Sequence, residues 1–319
     1  MEFHLIKCAL SSKEKRKLNK EMIQSAFLLL ASFLTIATSF EGQIQRMLYY
    51  AAVDRVLERS PVSNLQPLLD SRNTIILPLV ENKVVVREIN PNHMEPIYVN
   101  GGQDIFKVGD NNRYIYLGEQ DGLTYVAAEF SSMEDLHCHL PKVGEDTAEA
   151  TTIRSLREVS EKINDDEALS LLAQAVAYNT WHTRTNKCCR CGSSLLSERG
   201  GAVLRCTDNA CGASSYPRIE PATMNFITDE NNKYVLLGRK ASWPEGRYSC
   251  LAGFLEIGET LEQCVMRETM EESGVQVYED SIVYAGSQPW PFPSSLMVGF
   301  RGVAAAATAQ ERGDNDDND

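Results

Sequence analysis

Short apolar stretches separated by polar punctuation dominate the chain between residues 74 and 130. Four of them are TIILPLV, KVVVREI, RYIYLG and TYVAAEF. Each is rich in β-branched or aromatic side chains, and the gaps between them contain Asn, Gly and Asp, which favour turns. The pattern therefore predicts a small β-rich domain, for which we expect the bounds 61–150.

Helical spacing replaces this pattern between residues 151 and 181. Ile153, Leu156 and Ile163 share one apolar stripe, and a second stripe of leucine and valine opens after Asp165. Apolar residues three and four apart are typical of an amphipathic helix, and Asp is a favoured residue at a helix start. Two helices are expected in a linker over residues 151–186.

Strand-like stretches return beyond Tyr216. TMNFIT and KYVLLGR precede a Gly-rich loop and a helix of Glu and Leu, and SIVYAG follows that helix. Strands that alternate with a helix indicate a layered domain containing both elements. We expect this domain over residues 216–303 and a disordered acidic tail over residues 304–319.

A cysteine cluster lies between these domains, in a Gly- and Ser-rich segment with little apolar content (residues 187–215). Two pairs, C-x2-C and C-x4-C, are separated by 14 residues, and their members are Cys188, Cys191, Cys206 and Cys211. Four thiolates suit tetrahedral Zn²⁺ and leave no open coordination position, so a structural zinc is expected. Cys189 is a competing ligand for the first pair, and we assign it as the spare cysteine.

His137, Cys138 and His139 form the only other metal-like run of residues. Adjacent side chains of a strand point to opposite faces, so neighbours in such a run do not converge on one ion. We therefore expect an ordinary loop or strand end there.

The stretch LAGFLEIGETLEQCVMRETMEESGV, residues 251–275, combines a glycine-containing loop with a helix that turns acidic. One stripe of the helix starts with apolar side chains and continues, at helical spacing, with carboxylates: Leu261, Cys264, Val265, Glu268, Glu271 and Glu272. We expect Gly274 to end the helix, as glycine commonly does.

Three carboxylates on one face repel each other and resist desolvation unless cations compensate them. Mg²⁺ binds oxygen ligands and substrate phosphates, which matches a Glu cluster beside a flexible loop. Arg267, four residues before Glu271, is placed to hold one of the carboxylates. Taken alone, such a charge run is more often a solvated helix end.

The complete pattern G-x5-E-x7-R-E-T-x-E-E-x-G-V carries more information than the charge run. Its members are Gly253, Glu259, Arg267, Glu268, Thr269, Glu271, Glu272, Gly274 and Val275. This pattern resembles the Nudix box, from which only Thr269 departs, since an aliphatic residue is usual there. The resemblance implies a Nudix hydrolase that uses Mg²⁺ or Mn²⁺.

A second motif, SQPWPFPSS, follows the box at residues 287–295. Its prolines stiffen the segment, and Trp290 and Phe292 offer surfaces on which a nucleotide ring can stack. The motif is similar to the array that marks NADH pyrophosphatases within the Nudix family, and together the similar regions cover roughly residues 74–300. NAD(H), cut at its pyrophosphate to NMN(H) and AMP, is then the expected substrate, with NAD-capped RNA as a second one.

The resemblance also assigns roles to individual residues. It implies that Glu268, Glu271, Glu272 and the Ala252 carbonyl hold the catalytic metal, with Glu271 as ligand or base. The nucleotide-binding residues that it implies are Tyr216, Phe254, Gln288, Pro289, Trp290, Pro291, Phe292, Pro293, Ser294 and Ser295.

The same resemblance implies an α+β chain. In chain order, it would contain a β-rich domain, a zinc ribbon of four cysteines and a Nudix α/β/α sandwich with a mixed sheet. Members of the family are typically homodimers. Nine cysteines in a cluster-rich pattern favour a reducing intracellular compartment, that is cytoplasm, peroxisome or mitochondrion.

The N-terminal extension, residues 1–60, contains an uncharged apolar segment over Met22–Phe40 that follows five basic residues. A membrane span needs roughly 20 apolar residues, and Gln, Ser and Thr interrupt this run. We therefore favour a buried or presequence-like helix over a membrane anchor for this segment.

Similar enzymes continue with further strands, a helix and an acidic residue, whereas this chain ends 19 residues after Phe300. The expectation is an incomplete Nudix domain with much reduced activity. A catalytically silent binding or regulatory protein is therefore the alternative function. A zinc-ribbon nucleic-acid module is disfavoured by the net charge of -13, because phosphate binding depends on Lys and Arg.

Overall fold

The structure, a computed structural model, describes residues 2–7, 65–102, 113–139 and 151–305. These residues fall into two compact units. The C-terminal unit contains β1 (Glu2–Lys7), Glu220–Pro289 and the chain from Ser295 onward, and the N-terminal unit contains the remaining described residues, with Trp290–Ser294 among them.

None of the helices in the described ranges is long and apolar enough to cross a membrane. The apolar segment Met22–Phe40 and the acidic tail beyond residue 305, both singled out in the sequence, lie outside these ranges.

A seven-stranded sheet forms the centre of the N-terminal unit, in the order β4-β3-β2-β7-β6, with β5 also pairing with β2 and β8 with β3. The elements up to residue 154 are α1 (Gln66–Leu69), β2 (Thr74–Val80), β3 (Lys83–Asn90), β4 (His93–Pro96), β5 (Val99–Asn100), β6 (Arg113–Gln120), β7 (Leu123–Phe130), α2 (Met133–His139) and β8 (Thr151–Arg154). The β2–β7 pair is parallel.

The four strands predicted between residues 74 and 130 are confirmed as β2, β3, β6 and β7. Two-residue turns connect them in pairs. Glu81 and Asn82 join β2 to β3, Asp121 and Gly122 join β6 to β7, and all four residues have positive φ. Such turns match the twist of paired strands, and Asn, Asp and Gly tolerate this backbone conformation best.

Both faces of this sheet are buried. One face presents Leu77, Leu79 and Ile115 to a cluster that includes helix residues such as Leu169 and Leu172. The opposite face packs around Ile76, Val126 and Phe130 among others. The alternation of side chains along a strand produces this division, because successive residues point to opposite faces.

The helix predicted around Ile153 and Leu156 is mostly wrong. Residues 151–154 form β8, which pairs with β3, and only Leu156–Val159 is helical (α3). Its start has a capping box between Ser155 and Glu158. The second predicted helix is confirmed as α4 (Asp166–Arg184), and the Asp165 side chain accepts hydrogen bonds from the amides of Glu167 and Ala168.

The run His137-Cys138-His139 forms the end of α2 and not a loop or strand end. The His137 side chain is exposed. Among the described residues, the ligand atoms of the four predicted cysteines converge within 4.8 Å of one another, whereas those of Glu268, Glu271 and Glu272 do not form such a cluster.

A small three-stranded sheet carries the cysteine cluster, in the order β11-β10-β9. Its strands are β9 (Leu195–Glu198), β10 (Val203–Cys206) and β11 (Ser214–Ser215), and a 3-10 turn at Arg199–Gly201 connects the first two. Lys187 and Ser194 form an isolated bridge next to it.

His182, near the end of α4, fixes that helix to the 3-10 turn. The side chain is 5% exposed, and its Nε2 lies 2.7 Å from the Gly201 carbonyl oxygen. Burial lowers the pKa of His182 to about 4 from the ordinary value of 6.5. The imidazole is therefore neutral near pH 7 and donates its Nε2 proton to the carbonyl.

The low pKa of His182 predicts a loss of stability in mild acid. The unfolded chain takes up a proton near pH 6.5, whereas the folded chain resists protonation until about pH 4. The free energy of unfolding should then fall as pH drops through this window, by up to about 1.4 kcal/mol per pH unit from this group. Urea unfolding at several pH values, compared between wild type and His182→Gln, measures the contribution.

The exposed His137 provides the matched control for this experiment. His137→Gln should keep the wild-type difference in stability between pH 7 and pH 5, while His182→Gln should reduce it. An unchanged pH dependence in His182→Gln would contradict the buried neutral state of this histidine.

The C-terminal unit contains a six-stranded sheet in the order β1-β13-β12-β16-β15, with β14 also pairing with β12. Its elements are β12 (Glu220–Thr228), β13 (Tyr234–Arg239), β14 (Leu251–Phe254), α5 (Leu261–Ser273), a 3-10 turn at Glu279–Ser281, β15 (Val283–Trp290) and β16 (Ser295–Val303). The pairing of β12 with β16 is parallel, which makes this a mixed sheet.

Helix α5 and the strands share one apolar cluster, to which Val265 of α5, Ile227 of β12 and Phe300 of β16 belong. The strands predicted at TMNFIT and KYVLLGR are confirmed as β12 and β13. The unit therefore holds the acidic helix against the centre of a mixed sheet.

Candidate functional site

Helix α5 has well-defined ends. The Thr260 side chain accepts a hydrogen bond from the Gln263 amide, and the Gln263 side chain accepts one from the Thr260 amide, which completes a capping box. At the other end Gly274 adopts the left-handed conformation with φ 71°, as predicted. The glutamates thus lie in the last two turns of a helix that is fixed at both ends.

Gly253 of β14 lets the helix come close to the sheet. A Cβ atom at this position would overlap the Glu268 carboxylate. A side chain of any size there would force the carboxylate away from β14. This close approach explains why β14 has glycine at residue 253.

We expect Gly253→Ala to reduce catalytic turnover strongly, because the added methyl group displaces the Glu268 carboxylate. Misplacing a reacting group by about 1 Å can cost roughly a hundredfold in rate. The measurement is kcat for the NADH cleavage expected from the sequence, with circular dichroism to verify the fold. Wild-type turnover in Gly253→Ala would show that the Glu268 position has no catalytic importance.

Arg267 is the centre of an ion-pair network on α5. Its Nε and Nη2 donate to the two carboxylate oxygens of Glu259 at 2.7 and 2.9 Å. Its Nη1 donates to Glu268 at 2.9 Å and to Glu271 at 3.1 Å, and Nη2 also donates to the Phe254 carbonyl oxygen at 2.9 Å. One guanidinium therefore holds three carboxylates and the end of β14 together.

The network shifts the pKa values of Glu259 and Arg267 in opposite directions. Hydrogen bonds from Arg267 lower the pKa of Glu259 to about 2. The same contacts raise the pKa of Arg267. Both groups therefore remain charged over the physiological pH range, and Glu259 serves as the permanent counter-ion of Arg267.

Glu272 lies outside this network. Burial, followed by the negative charge of Glu268, raises the pKa of its carboxyl group, while the Ala252 amide acts in the opposite direction by donating a hydrogen bond. Its Oε2 is buried and has no hydrogen-bond partner among the described residues. Burying an acceptor oxygen in this state costs folding free energy unless a proton or a cation binds to it.

The exposure of the glutamates differs from the sequence expectation. The Glu268 side chain is 14% exposed, whereas that of Glu271 is 60% exposed. The buried stripe of α5 continues from Val265 to Thr269, which is fully buried. The acidic face consequently lies at the edge of the buried stripe, and Glu271 is its solvent-facing member.

Two polar residues of β12 beneath α5 were not anticipated from the sequence. Both Thr223 and Asn225 are fully buried. The Thr223 hydroxyl lies 3.4 Å from the Cys264 sulfur, and Asn225 Nδ2 donates to the Thr269 hydroxyl at 3.3 Å. Thr269 thus has a polar partner directly below it. The threonine and asparagine at alternate positions of the strand-like stretch TMNFIT were the available signal.

The four cysteines of the ribbon come together as predicted. The Sγ atoms of Cys188, Cys191, Cys206 and Cys211 all lie within 4.8 Å of one another. The closest pairs are Cys191 with Cys206 at 3.3 Å and Cys188 with Cys211 at 3.8 Å. This cluster has the donor set and the compactness of a tetrahedral metal site.

The pKa values of two of these thiols are shifted in opposite directions. Hydrogen bonds from Ser193 lower the pKa of Cys191 to about 6, whereas burial raises that of Cys206 to about 12. Cys189 is exposed and does not belong to the cluster. Its predicted role as the spare cysteine agrees with this geometry.

The SQPWPFPSS segment contains the end of β15, the start of β16 and the connection between them. Gln288 and Ser295 are buried. The rings of Trp290 and Phe292 meet edge to face, with centroids 5.5 Å apart. Phe292 also packs, partly buried, against the cluster that contains Leu77 and Leu79 within the N-terminal unit.

Tyr216 and Phe254, the other expected nucleotide-binding residues, are each 58% exposed. Phe254 follows Gly253 at the end of β14, and its carbonyl oxygen accepts the hydrogen bond from Arg267. Both aromatic side chains are therefore open to solvent.

The sequence of this chain is similar to those of known proteins. Residues 218–319 match the model of the NUDIX domain. NAD-capped RNA hydrolase NUDT12 of Macaca fascicularis is 39% identical over 151 residues, 46% of this chain and 32% of that protein. NAD-capped RNA hydrolase of Schizosaccharomyces pombe is 42% identical over 136 residues, 39% of this chain and 36% of the relative.

A bacterial relative aligns over a longer region. NAD-capped RNA hydrolase NudC of Mycobacterium bovis is 36% identical over 189 residues, 59% of this chain and 56% of that protein. The chain therefore spans about a third to just over half of the length of these relatives. The similarity of this chain to known proteins thus lies in the NUDIX domain model over residues 218–319 and in NAD-capped RNA hydrolases over the aligned regions.

Proposed function

We propose that this chain hydrolyses the pyrophosphate bond of NAD(H), and that it also accepts the same bond in the NAD cap of RNA. The relatives named as NAD-capped RNA hydrolases support this substrate class. The products would be NMN(H) and AMP from the free dinucleotide.

The observation that carries the proposal is the acidic site between α5 and β14. Glu268 lies over Gly253 with little exposure, and Glu272 has a buried oxygen without a partner among the described residues. Carboxylates in this state favour a divalent cation, which supplies the positive charge that solvent cannot.

Mg²⁺ or Mn²⁺ is the proposed cofactor, and its ligands would be Glu268, Glu271, Glu272 and the Ala252 carbonyl. Such an ion neutralises pyrophosphate oxygens and lowers the pKa of a bound water. Arg267 keeps Glu268 and Glu271 in place through its two Nη1 hydrogen bonds. Glu271, which is the exposed member, is the residue we assign to accept the proton of the attacking water.

Recognition of the nucleotide is assigned to the aromatic and polar residues named above. Phe254 and Tyr216 offer exposed rings for stacking, and Trp290 is half-buried beside Phe292. The polar atoms of Gln288, Ser294 and Ser295 would hydrogen-bond to the substrate, while Pro289, Pro291 and Pro293 stiffen the segment.

The ribbon is proposed to hold one structural Zn²⁺. Zinc–sulfur bonds of about 2.3 Å place tetrahedral sulfurs about 3.8 Å apart, close to the separations found in this cluster. The thiols must remain reduced to bind the ion, so we propose a reducing intracellular compartment. We also propose a homodimer, as the family resemblance implies, which light scattering after gel filtration would test.

The proposed activity is tested by incubating the chain with NADH and Mg²⁺ or Mn²⁺ and separating the products by HPLC. We expect equimolar NMNH and AMP, and no products in EDTA. ADP-ribose and diadenosine polyphosphates serve as competing substrates. Turnover of these compounds with none of NADH or NAD-capped RNA would overturn the substrate assignment.

A further inference from the structure

The loop between β13 and β14, KASWPEGRYSC, contains a cluster of basic residues around a tryptophan. Two turns shape it, closed by hydrogen bonds from the Trp243 amide to the Lys240 carbonyl and from the Arg247 amide to the Pro244 carbonyl. A two-way backbone bridge between Gly238 and Ser249 closes its base. The loop therefore has a defined shape.

Both cations of the loop lie over the half-buried Trp243 ring. Lys240 Nζ is 5.9 Å from the ring centroid, and Arg247 Cζ is 5.4 Å from it. Arg239 donates to the Trp243 carbonyl oxygen at 2.9 Å and so fixes the backbone beneath the ring. Contact with an aromatic face holds a cation in place while leaving its N–H groups available to another partner.

Lys240 and Arg247 have no carboxylate partner within 4 Å among the described residues, although the loop contains Glu245. Both side chains are exposed. Their charge is therefore available for an anionic ligand.

The loop leads directly to the acidic site. It ends at Cys250, two residues before Ala252, whose amide donates to Glu272. The strand that follows the loop, β14, lies against the Glu268 carboxylate at Gly253. An anion bound at the loop would thus be adjacent to a substrate at the acidic site.

We propose that Lys240, Trp243 and Arg247 form a binding site for the phosphates of the RNA chain that follows the pyrophosphate of an NAD cap. This inference rests on the proposed function, because it concerns a substrate that extends beyond the dinucleotide. Free NAD(H) has no phosphate in this position, so the site distinguishes capped RNA from the free dinucleotide.

The chemistry of the cluster favours phosphates over bases. The two cations lie 5.9 and 5.4 Å from the Trp243 ring centroid and compete with a base for its face, while guanidinium and ammonium groups are the usual phosphate donors. Two cations contact one or two phosphates. The contact with RNA is accordingly short, which fits an otherwise acidic chain.

The test compares two substrates in the full chain. The ratio of kcat/KM for a ten-nucleotide NAD-capped RNA to that for NADH should fall about tenfold in Arg247→Gln combined with Lys240→Gln. The ratio should also depend less on salt concentration. For a single strand, each phosphate contact contributes roughly 0.7 to the slope of log affinity against log salt concentration, and the variant loses such contacts. Trp243→Leu should lower the ratio in the same direction, since it removes the ring that positions both cations.

Lys233→Gln is the matched control, because Lys233 is an exposed cation at the opposite end of β13. It removes one charge and should leave the ratio unchanged. A ratio that is equally unchanged in the Lys240 and Arg247 variants would overturn the inference while leaving the proposed NADH cleavage intact.

Binding gives an independent readout if the chain cleaves neither substrate and the proposed function fails. Fluorescence anisotropy with a labelled 5′-phosphorylated ten-nucleotide RNA in EDTA should show weaker binding in the Lys240 and Arg247 variants than in Lys233→Gln. Absent binding by wild type, or equal binding by all variants, would overturn the site.

Discussion

Glu272→Gln should lower NADH turnover by about a hundredfold or more, since it removes a charged ligand from the proposed metal site at nearly constant volume. The same substitution should maintain or raise the melting temperature in EDTA, because the buried Oε2 of Glu272 lies near the negative charge of Glu268. Loss of activity without loss of stability would distinguish a functional carboxylate from a structural one.

The pH dependence of stability adds a second signature. Because the pKa of Glu272 is raised in the folded protein, the native state binds a proton more readily than the unfolded chain. Without metal, this group destabilises the fold at neutral pH and the penalty disappears as pH falls through its folded pKa. Glu272→Gln should remove that part of the pH dependence.

Glu262 supplies the control for this experiment, since it is an exposed glutamate in the first turn of the same helix. Glu262→Gln should change neither turnover nor the effect of metal on the melting temperature. A large fall in stability of Glu272→Gln in EDTA would instead identify Glu272 as a structural partner.

The wild-type chain should bind close to one zinc ion. Cys206→Ser should abolish this binding and make the ribbon sensitive to proteases. The segment has little apolar core of its own, so the binding energy of the metal is its folding energy. Atomic emission for zinc and limited proteolysis measure the two effects together. Stability should change more than the chemical step, since a closed four-sulfur site offers no open position to a substrate.

Cys189→Ser is the natural control, because Cys189 is exposed and adjacent to a proposed ligand but outside the cluster. It should retain zinc and protease resistance. Full zinc content in Cys206→Ser together with its loss in Cys189→Ser would reverse the ligand assignment.

Much of the fold was predictable where the sequence signal is local. Strands β2 and β3 follow from TIILPLV and KVVVREI, and their turn at Glu81 and Asn82 uses residues that suit it. Helix α5 is marked at both ends by residues that cap helices, Thr260 and Gly274. Local composition was sufficient for each of these features.

The predicted helix at residues 151–163 failed because a distant partner determines that segment. Residues 151–154 pair with β3, which lies far earlier in the chain, and helical spacing of Ile153 and Leu156 contains no information on this partner. Two threonines and an isoleucine also favour extended backbone through their branched side chains. Non-local pairing thus overrode the periodicity.

The composition of the site was predictable, but its geometry was not. Periodicity placed Glu268, Glu271 and Glu272 on one helix, and spacing suggested that Arg267 holds Glu271. The contact of Arg267 with Glu259 depends on the path of the preceding loop, and the Asn225–Thr269 contact depends on the position of β12 beneath the helix. Both require the tertiary packing.

The parallel pairing of β12 with β16 has a consequence for synthesis on the ribosome. Glu220 pairs with Ser295 and Thr228 with Val303, so β12 emerges long before its central partner has been translated. Until then one hydrogen-bonding edge of β12 is open, and such edges promote association between nascent chains. A slow stretch of translation before residue 295 would prolong this exposure and make chaperone binding to β12 necessary for a good yield of folded protein.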